Sequence, residues 1–181
     1  PYIFFNGNAN SNSPDVYKDK NHKINASNLC TEIMLPSNDN WSFVCVLSSI
    51  NLLHYEKWKD TDAVETMVYF LDAVISEFLE KLEHYKLSPD RDDQQTFLFM
   101  ERAYNFAKEN RALGLGVLGW HSLLQSRMLP FGSQEAFDLN SQIFNLIQKK
   151  SYKASEELAK KFGEPSLPVS YTHLTLPTKQ M

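Results

Sequence analysis

The stretch Ser27-Asn28-Leu29-Cys30-Thr31-Glu32-Ile33-Met34-Leu35-Pro36, with the apolar run at 41–50 that follows it, carries the strongest fold signal in the chain. Apolar and polar residues alternate before Pro36, which is typical of a strand that a proline ends. We therefore predict a strand over residues 30–35, a polar turn over 37–40 and a second strand over 41–50. The continuous apolar character of the second run favours burial on both faces, as in a parallel or barrel sheet.

Three polar residues in the first predicted strand form a candidate site. Residues two apart in an extended backbone point to the same side, so Asn28, Cys30 and Glu32 are predicted to share one face. A thiol beside a carboxylate supports hydrogen-atom or nucleophilic chemistry, and an amide can hold the polar groups of a substrate. Free cysteine is also a common core residue, so the pattern alone leaves a structural role open. The second cysteine, Cys45, lies in the neighbouring predicted strand.

Composition narrows the class of protein. The chain has 181 residues, of which 43% are hydrophobic and 22% charged, as expected of one globular domain. Its net charge of -4 argues against binding to a nucleic-acid backbone, and it has no apolar run of ~18 residues that could span a membrane. Two cysteines without a secretory signal favour a cytoplasmic setting. They are too few for a structural zinc site, so we predict no metal in this chain.

The organisation changes along the chain from extended to helical. Residues 1–56 read as a strand and loop region, in which a short extended run at 2–5 precedes a turn-rich segment at 6–14. Residues 57–165 read as helical. The last residues, 166–181, have no helical period, and we interpret them as a truncated or foreign tail. The start without methionine suggests that the chain begins inside a longer protein.

Four helices are predicted in the second region, over residues 61–84, 95–110, 111–127 and 134–162. Ser133 is a suitable N-cap for the last helix, and Gly163 is well placed at its end. The first and the last of these helices each carry an apolar stripe. The stripes consist of Val64, Met67, Val68, Leu71, Ile75, Phe78, Leu79 and Leu82, and of Phe137, Ile143, Phe144, Ile147, Ala154 and Leu158.

Two competing motifs are weaker. The segment 114–119 matches the dinucleotide-binding pattern G-x-G-x-x-G, but that motif requires a strand that leads into the glycine turn. Here the preceding residues have a helical pattern, so we assign the glycines to close helix packing or to a bend between helices. A cysteine hydrolase would use Cys30 as its nucleophile, with His22, His54, His84 or His121 as the base. Cys30 lacks the strand-to-helix elbow or helix start that lowers a thiol pKa.

Taken together, several segments resemble the catalytic large subunit of class I ribonucleotide reductase. They are the Asn-Leu-Cys-Thr-Glu segment, the run Cys45-Val46-Leu47-Ser48-Ser49-Ile50-Asn51-Leu52, the segment Arg111-Ala112-Leu113-Gly114-Leu115-Gly116-Val117 and the stretch at 151–159. The resemblance covers roughly residues 1–165. It implies an α/β fold that is part of a ten-stranded α/β barrel, with two to three short strands followed by about four helices. In that family the radical cysteine lies on a loop inside the barrel.

The resemblance also implies roles for the four site residues. Cys30 becomes a transient thiyl radical that abstracts the ribose 3′ hydrogen, and Glu32 is the general base for the 3′-hydroxyl proton. Asn28 donates a hydrogen bond to the substrate. Cys45 is one redox-active thiol of a pair whose other member lies outside the chain. No cofactor-binding or metal-ligating residue is implied within these 181 residues.

Partners follow from the same resemblance. The longer protein is expected to be a homodimer that reduces ribonucleoside diphosphates to deoxyribonucleotides for DNA synthesis, with nucleotide effectors. Its small (beta) subunit would hold a di-metal site and a tyrosyl radical, and thioredoxin or glutaredoxin would be the reductant. We expect the 181-residue piece alone to be inactive. Three alternatives remain open: a cobalamin-dependent or glycyl-radical enzyme of the same barrel type, a helical interaction module without catalysis, and the dinucleotide oxidoreductase.

Overall fold

The structure of the chain is a computed structural model that describes residues 3–163. Seven helices lie within these residues: α1 (Asn6–Ser11), α2 (Asp15–Asp19), α3 (Tyr55–Trp58), α4 (Ala63–Leu87), α5 (Arg91–Asn110), α6 (Trp120–Ser126) and α7 (Gln134–Phe162). The strands are β1 (Val46–Asn51) and β2 (Leu113–Leu118), and a 3₁₀ turn spans Leu52–His54. None of these helices is both long and apolar enough to cross a membrane.

The chain divides into two compact units, which are described separately. The first unit comprises the described residues up to 44 together with residues 77–112. The second unit comprises residues 45–76 and 113–163. Helix α4 contributes its first part to the second unit and its last part to the first. Cys30 therefore belongs to the first unit, and Cys45 to the second.

A parallel pair of strands forms the sheet of the second unit. β1 and β2 pair from Val46 opposite Leu113 to Asn51 opposite Leu118. Helices separate the two strands in sequence, as a parallel connection requires. The predicted α/β class is thus confirmed. The second predicted strand, over 41–50, is shorter than expected because it begins only at Val46.

The core of the second unit lies where the sheet meets α4, α6 and α7. Leu52, Val64 and Ile143 are completely buried there, and Leu124 is 1% exposed. Leu115 and Val117 of β2 pack against this cluster. The first part of the α4 stripe, at Val64 and Met67, thus meets the α7 stripe in one core. The buried members of this core are Ile50, Leu52, Tyr55, Trp58, Val64, Leu123, Leu124, Ala136, Leu139, Ile143 and Ile147.

Two smaller apolar clusters stabilise the first unit. Val16, Tyr17 and Ile24 form one of them, and Leu35 packs against it. The other joins Leu82 of α4 to Phe97 and Tyr104 of α5. The edge of the Phe97 ring meets the Tyr104 ring at a centroid distance of 5.5 Å. Helix α5 is thereby fixed to the last part of α4.

The long helices were predicted correctly. α7 has the predicted bounds, and the Ser133 hydroxyl accepts the hydrogen bond of the Ala136 N–H as the N-cap. α4 begins two residues later than predicted, at Ala63, and extends beyond the predicted end to Leu87. α5 begins earlier than predicted because the Asp90 carboxylate accepts hydrogen bonds from the N–H groups of residues 92 and 93.

Several local predictions are wrong. Residues 113–118 form β2 after a left-handed residue at Arg111, whereas a helix was predicted to start at Arg111. Residues 6–11, predicted as turns, form α1, and residues 3–5 have no strand. Phe137 and Phe144 were predicted to face inward, yet they are 49% and 44% exposed, because the buried face of α7 is narrower than its apolar stripe. The predicted tail, 166–181, lies outside the described residues.

Candidate active site

The predicted strand over residues 30–35 is a closed loop, which we call the Asn28 loop (residues 28–33). The Thr31 N–H donates to the Asn28 carbonyl at 3.1 Å, and the Asn28 N–H donates to the Ile33 carbonyl at 3.2 Å. Thr31 has a φ of 64°, in the left-handed region that a tight turn requires and a strand excludes. The prediction of an extended backbone here is therefore wrong.

Asn28 organises this loop with its side chain as well as its backbone. Its Oδ1 accepts the Ile33 N–H at 3.0 Å, and its Nδ2 donates to Glu32 Oε1 at 2.7 Å. All the polar groups of one residue thus bind within the loop, which explains why the segment needs no partner strand. The turn brings the side chains of Asn28 and Glu32 into contact, whereas the predicted strand would only have placed them on one face.

Cys30 lies at the turn between these two residues. It is a free thiol and is exposed, as is the Glu32 side chain, whereas Asn28 is half-buried. The three side chains therefore do not share a strand face, because a turn reverses the chain between them. Within residues 3–163, Cys30 belongs to no apolar core.

The base of the Asn28 loop is closed by two contacts between the segments that enter and leave it. The Ser37 N–H donates to the Lys23 carbonyl at 3.1 Å, and Asn25 Nδ2 donates to the Ser37 carbonyl at 2.6 Å. Next to this closure, the edge of the His22 ring meets the Trp41 ring at a centroid distance of 4.9 Å. These residues line a cavity of about 290 Å³ within the first unit.

Cys45 has a different environment in the second unit. It comes directly before β1, is half-buried, and its thiol donates to the Val46 carbonyl at 3.6 Å. Burial raises the pKa of this thiol, so the protonated form is favoured at neutral pH. The two cysteines do not lie in neighbouring strands as predicted, because Cys30 is in a turn.

The competing motifs gain no support. The residues before Gly114 are the helix α5, as predicted, and Gly114 and Gly116 pair with β1 inside β2, so they cannot form a phosphate-binding turn. Their role in a helix bend was wrongly predicted. A Cβ at Gly114 would lie 2.3 Å from Leu47 Cδ2, so glycine permits the close approach of the two strands. His22, a candidate base for a hydrolase, packs on Trp41, and burial together with Lys20 lowers its pKa.

The predicted site residues therefore fall into two groups, with Asn28, Cys30 and Glu32 in one loop and Cys45 elsewhere. Sequence reasoning missed the role of Asn28 as the organiser of that loop. The signal was available, because asparagine is favoured at the first position of a turn and its side chain readily binds nearby backbone groups. The residues 3–163 contain no group of three His, Cys, Asp or Glu side chains placed to hold a metal ion.

Comparison with known proteins defines the class of domain. The family model described as the ribonucleotide reductase barrel domain matches residues 1–170 of this chain. Among solved structures, a chain described as the Actinobacillus ureae class Id ribonucleotide reductase alpha subunit superimposes with a TM-score of 0.79 at 53% sequence identity. That match covers 95% of this chain and 31% of the other.

Similar proteins whose names are known point to the same family. The chain is 31% identical over 164 residues to the ribonucleoside-diphosphate reductase large subunit of Invertebrate iridescent virus 3, covering 91% of this chain and 24% of that protein. It is 34% identical over 166 residues to the large subunit of Caenorhabditis elegans, covering 90% of this chain and 19% of that protein. The chain belongs to the ribonucleotide reductase family, as part of the barrel domain. It spans less than a third of the length of each of these relatives.

Proposed function

We propose that the longer protein containing this chain is the catalytic large subunit of a ribonucleoside-diphosphate reductase, and that the Asn28 loop is its catalytic loop. The observation that carries the proposal is the geometry of the loop: Asn28 fixes the Glu32 carboxylate, and Cys30 stands exposed at the turn between them. Family membership supplies the reaction, and this geometry supplies a thiol and a base on one short loop.

The chemistry begins at Cys30. Loss of its S–H hydrogen atom leaves a thiyl radical, which takes the 3′ hydrogen atom of the ribose and becomes a thiol again. The 3′-hydroxyl proton passes to Glu32 as general base. The loop holds Glu32 through Asn28, so the base does not have to be ordered at the moment of reaction.

Reduction then requires two further thiols. Cys45 and a cysteine outside this chain supply two electrons and two protons, the 2′-hydroxyl leaves as water, and the two sulfurs join in a disulfide. Cys30 returns its hydrogen atom to C3′, which regenerates the thiyl radical. The raised pKa of Cys45 suits this role, because a protonated thiol can donate hydrogen.

Because Cys30 and Glu32 are exposed in this chain, the rest of the protein has to shield them from solvent. A thiyl radical must be shielded from solvent and from other thiols, and in this chain neither side chain is sheltered. We propose that barrel residues outside the chain cover the Asn28 loop. The isolated 181-residue polypeptide is therefore expected to be inactive even with an external radical source.

The partners belong to the same proposal. The substrate is a ribonucleoside diphosphate, and a small (beta) subunit with a di-metal site and a tyrosyl radical supplies the radical. Thioredoxin or glutaredoxin reduces the disulfide, the large subunit is a homodimer regulated by nucleotide effectors, and the enzyme acts in the cytoplasm. The relatives are named ribonucleoside-diphosphate reductases, which favours this enzyme over a glycyl-radical relative or a helical interaction module.

The decisive experiment uses the full-length protein with its small subunit and a dithiol reductant. We expect C30S to bind nucleotide normally but to form no deoxyribonucleotide, since an alcohol O–H bond is too strong to replace the thiol. E32Q should lower kcat by ~10²–10⁴-fold, the usual contribution of a general base. The matched control is E101Q, at an exposed glutamate of α5, which should leave kcat unchanged.

The role of Cys45 has a separate measurement. Substrate is added to the reduced protein without external dithiol, and free thiols are then alkylated. Cys45 should become protected after one turnover because it has entered a disulfide, whereas Cys30 should remain reactive in the denatured protein. Product formation by C30S would refute the proposed function, and continued alkylation of Cys45 after turnover would refute its redox role.

A further inference from the structure

The segment that leaves the Asn28 loop is folded back on itself immediately after the closure at Ser37. Asn38 and Trp41 exchange two backbone hydrogen bonds of 3.2 Å each, and the Asn40 N–H donates to Asn38 Oδ1 at 2.8 Å. This tight turn, residues 38–41, is joined to the loop through Pro36 and Ser37. Any displacement of the turn is therefore transmitted to the base of the loop.

Helix α5 contacts this turn through Arg102 and Phe106, and the hydrogen bonds come from Arg102. The Arg102 guanidinium donates through Nη2 to the Asn38 carbonyl at 2.7 Å and to the Trp41 carbonyl at 3.4 Å. The Arg102 carbonyl accepts the Ser42 N–H at 3.1 Å. One turn further along α5, the Phe106 ring meets Trp41 edge-on at 5.9 Å.

We propose that Arg102 is a positioning residue for the Asn28 loop. It fixes the 38–41 turn against α5, and through that turn it sets where Cys30 and Glu32 stand relative to the substrate. The inference rests on the proposed function, because it concerns the same loop. It assigns a catalytic consequence to an exposed arginine that touches neither the thiol nor the carboxylate.

The geometry favours a positioning role over general stabilisation. Arg102 is exposed and belongs to none of the three apolar clusters, so we expect its removal to leave the cores of both units intact. Both carbonyls that it binds already accept one backbone hydrogen bond, and each has a second lone pair for the guanidinium. Its removal therefore loosens the seating of the turn on α5 without undoing the turn itself.

The test compares R102A and R102K in the full-length protein with its small subunit. A displacement of about 1 Å at a reacting group can cost ~10²-fold in rate, so we expect R102A to lower kcat by roughly 10- to 100-fold. KM for the nucleotide should change by less than about twofold, because Arg102 is not expected to contact substrate. R102K should restore part of the loss, since an ammonium can donate to one carbonyl but lacks the arginine fork.

A second measurement separates positioning from a loss of folding. The kinetic isotope effect for 3′-deuterated substrate should increase in R102A, because hydrogen abstraction becomes slower relative to the other steps. Backbone hydrogen exchange should accelerate at residues 38–42 and remain unchanged in the second unit. The matched control is R91A, at the first residue of the same helix, which should alter neither readout.

The outcomes distinguish this inference from the proposed function. If C30S remains active, the proposed function is wrong whatever Arg102 does. If C30S is inactive and R102A keeps its kcat within about twofold, only the positioning role is refuted. An equal loss in R91A, or a rise in KM alone, would also overturn it. Should R102A be insoluble, R102K and its isotope effect give the same decision.

Discussion

Removal of the Asn28 side chain tests whether the loop is built as the structure indicates. N28A deletes the bond from Ile33 N–H to Oδ1 and the bond from Nδ2 to Glu32, at 3.0 and 2.7 Å. The backbone bonds between Asn28, Thr31 and Ile33 remain, so the turn itself should persist. The change therefore releases the Glu32 carboxylate without removing it.

The size of the effect follows from these two contacts. A typical intramolecular hydrogen bond contributes a net ~1 kcal/mol, and we use this value for both because the exposed site weakens the advantage of the charged acceptor. About 2 kcal/mol corresponds to a roughly 30-fold larger population of the loosened loop. Global unfolding should change little, because the loop contributes little to the apolar cores.

Two assays read out the change in the full-length protein. Hydrogen exchange at the Ile33 amide should accelerate by about 30-fold. The kcat should fall by ~10- to 30-fold in N28A, and by a smaller factor when the same substitution is made in the E32Q background. Positioning a base matters less once the base has been removed, so the two effects should be less than multiplicative. N145A, at an exposed asparagine of α7, is the matched control, and exchange at the Ile33 amide should remain unchanged in it.

Either of two results would contradict the proposed role of the Asn28 side chain. Unchanged exchange at Ile33 would show that the Asn28 side chain does not hold the loop in solution. Equal losses of kcat for N28A in both backgrounds would show that Asn28 acts independently of Glu32, for example through the substrate alone.

Three further predictions concern stability. Burial raises the pKa of Cys45, so the folded chain holds this proton more tightly than the unfolded chain does. Stability should therefore be constant with respect to this group below about pH 8.5 and fall as pH rises through the folded pKa, and urea titrations should show this fall in wild type but not in C45A. Burial is the main cause that lowers the pKa of His22, so the free energy of unfolding should fall as pH drops below about 6.5. H22Q should not show this loss, and NMR titration of the ring in wild type measures the pKa directly. Gly119 has a φ of 79°, and a Cβ there would lie 2.5 Å from Asn51 Oδ1, so G119A should lower the free energy of unfolding by about 1–2 kcal/mol, whereas G132A, with nothing within 4 Å, should have no effect.

The long helices could be predicted because their signal is repeated over many residues. In α4, the apolar residues Val64, Val68, Leu71 and Ile75 recur at the helical period, and each is at most 5% exposed. Ser133 and Gly163 mark the ends of α7 by local chemistry alone. Neither kind of evidence requires knowledge of the rest of the fold.

Short elements could not be predicted in the same way. In β2, Leu113, Leu115 and Val117 alternate with other residues at the period of a strand, but the glycines at 114 and 116 lower strand propensity. At Gly114 glycine is favourable only because β1 lies against it, with Leu47 Cδ2 2.3 Å from where a Cβ would be. The need for glycine at this position therefore arises from pairing between residues more than sixty positions apart, which no local sequence pattern can reveal.

The Asn28 loop could not be predicted for a different reason: an extended strand and a turn both place Asn28 and Glu32 on the same side of the segment. Residues 28 and 32 lie on the same side of an extended strand, about 13 Å apart at the usual rise per residue, and they come into contact only when a turn at Thr31 closes the segment. The asparagine decides between them: in a strand its backbone groups would require a neighbouring strand, whereas in the loop Ile33 and Thr31 satisfy them at once. A loop whose hydrogen bonds are internal keeps its shape without a sheet around it. Under the proposed function, the loop itself would present the Cys30 thiol and the Glu32 carboxylate, and the part of the barrel outside this chain would have to enclose the loop rather than shape it.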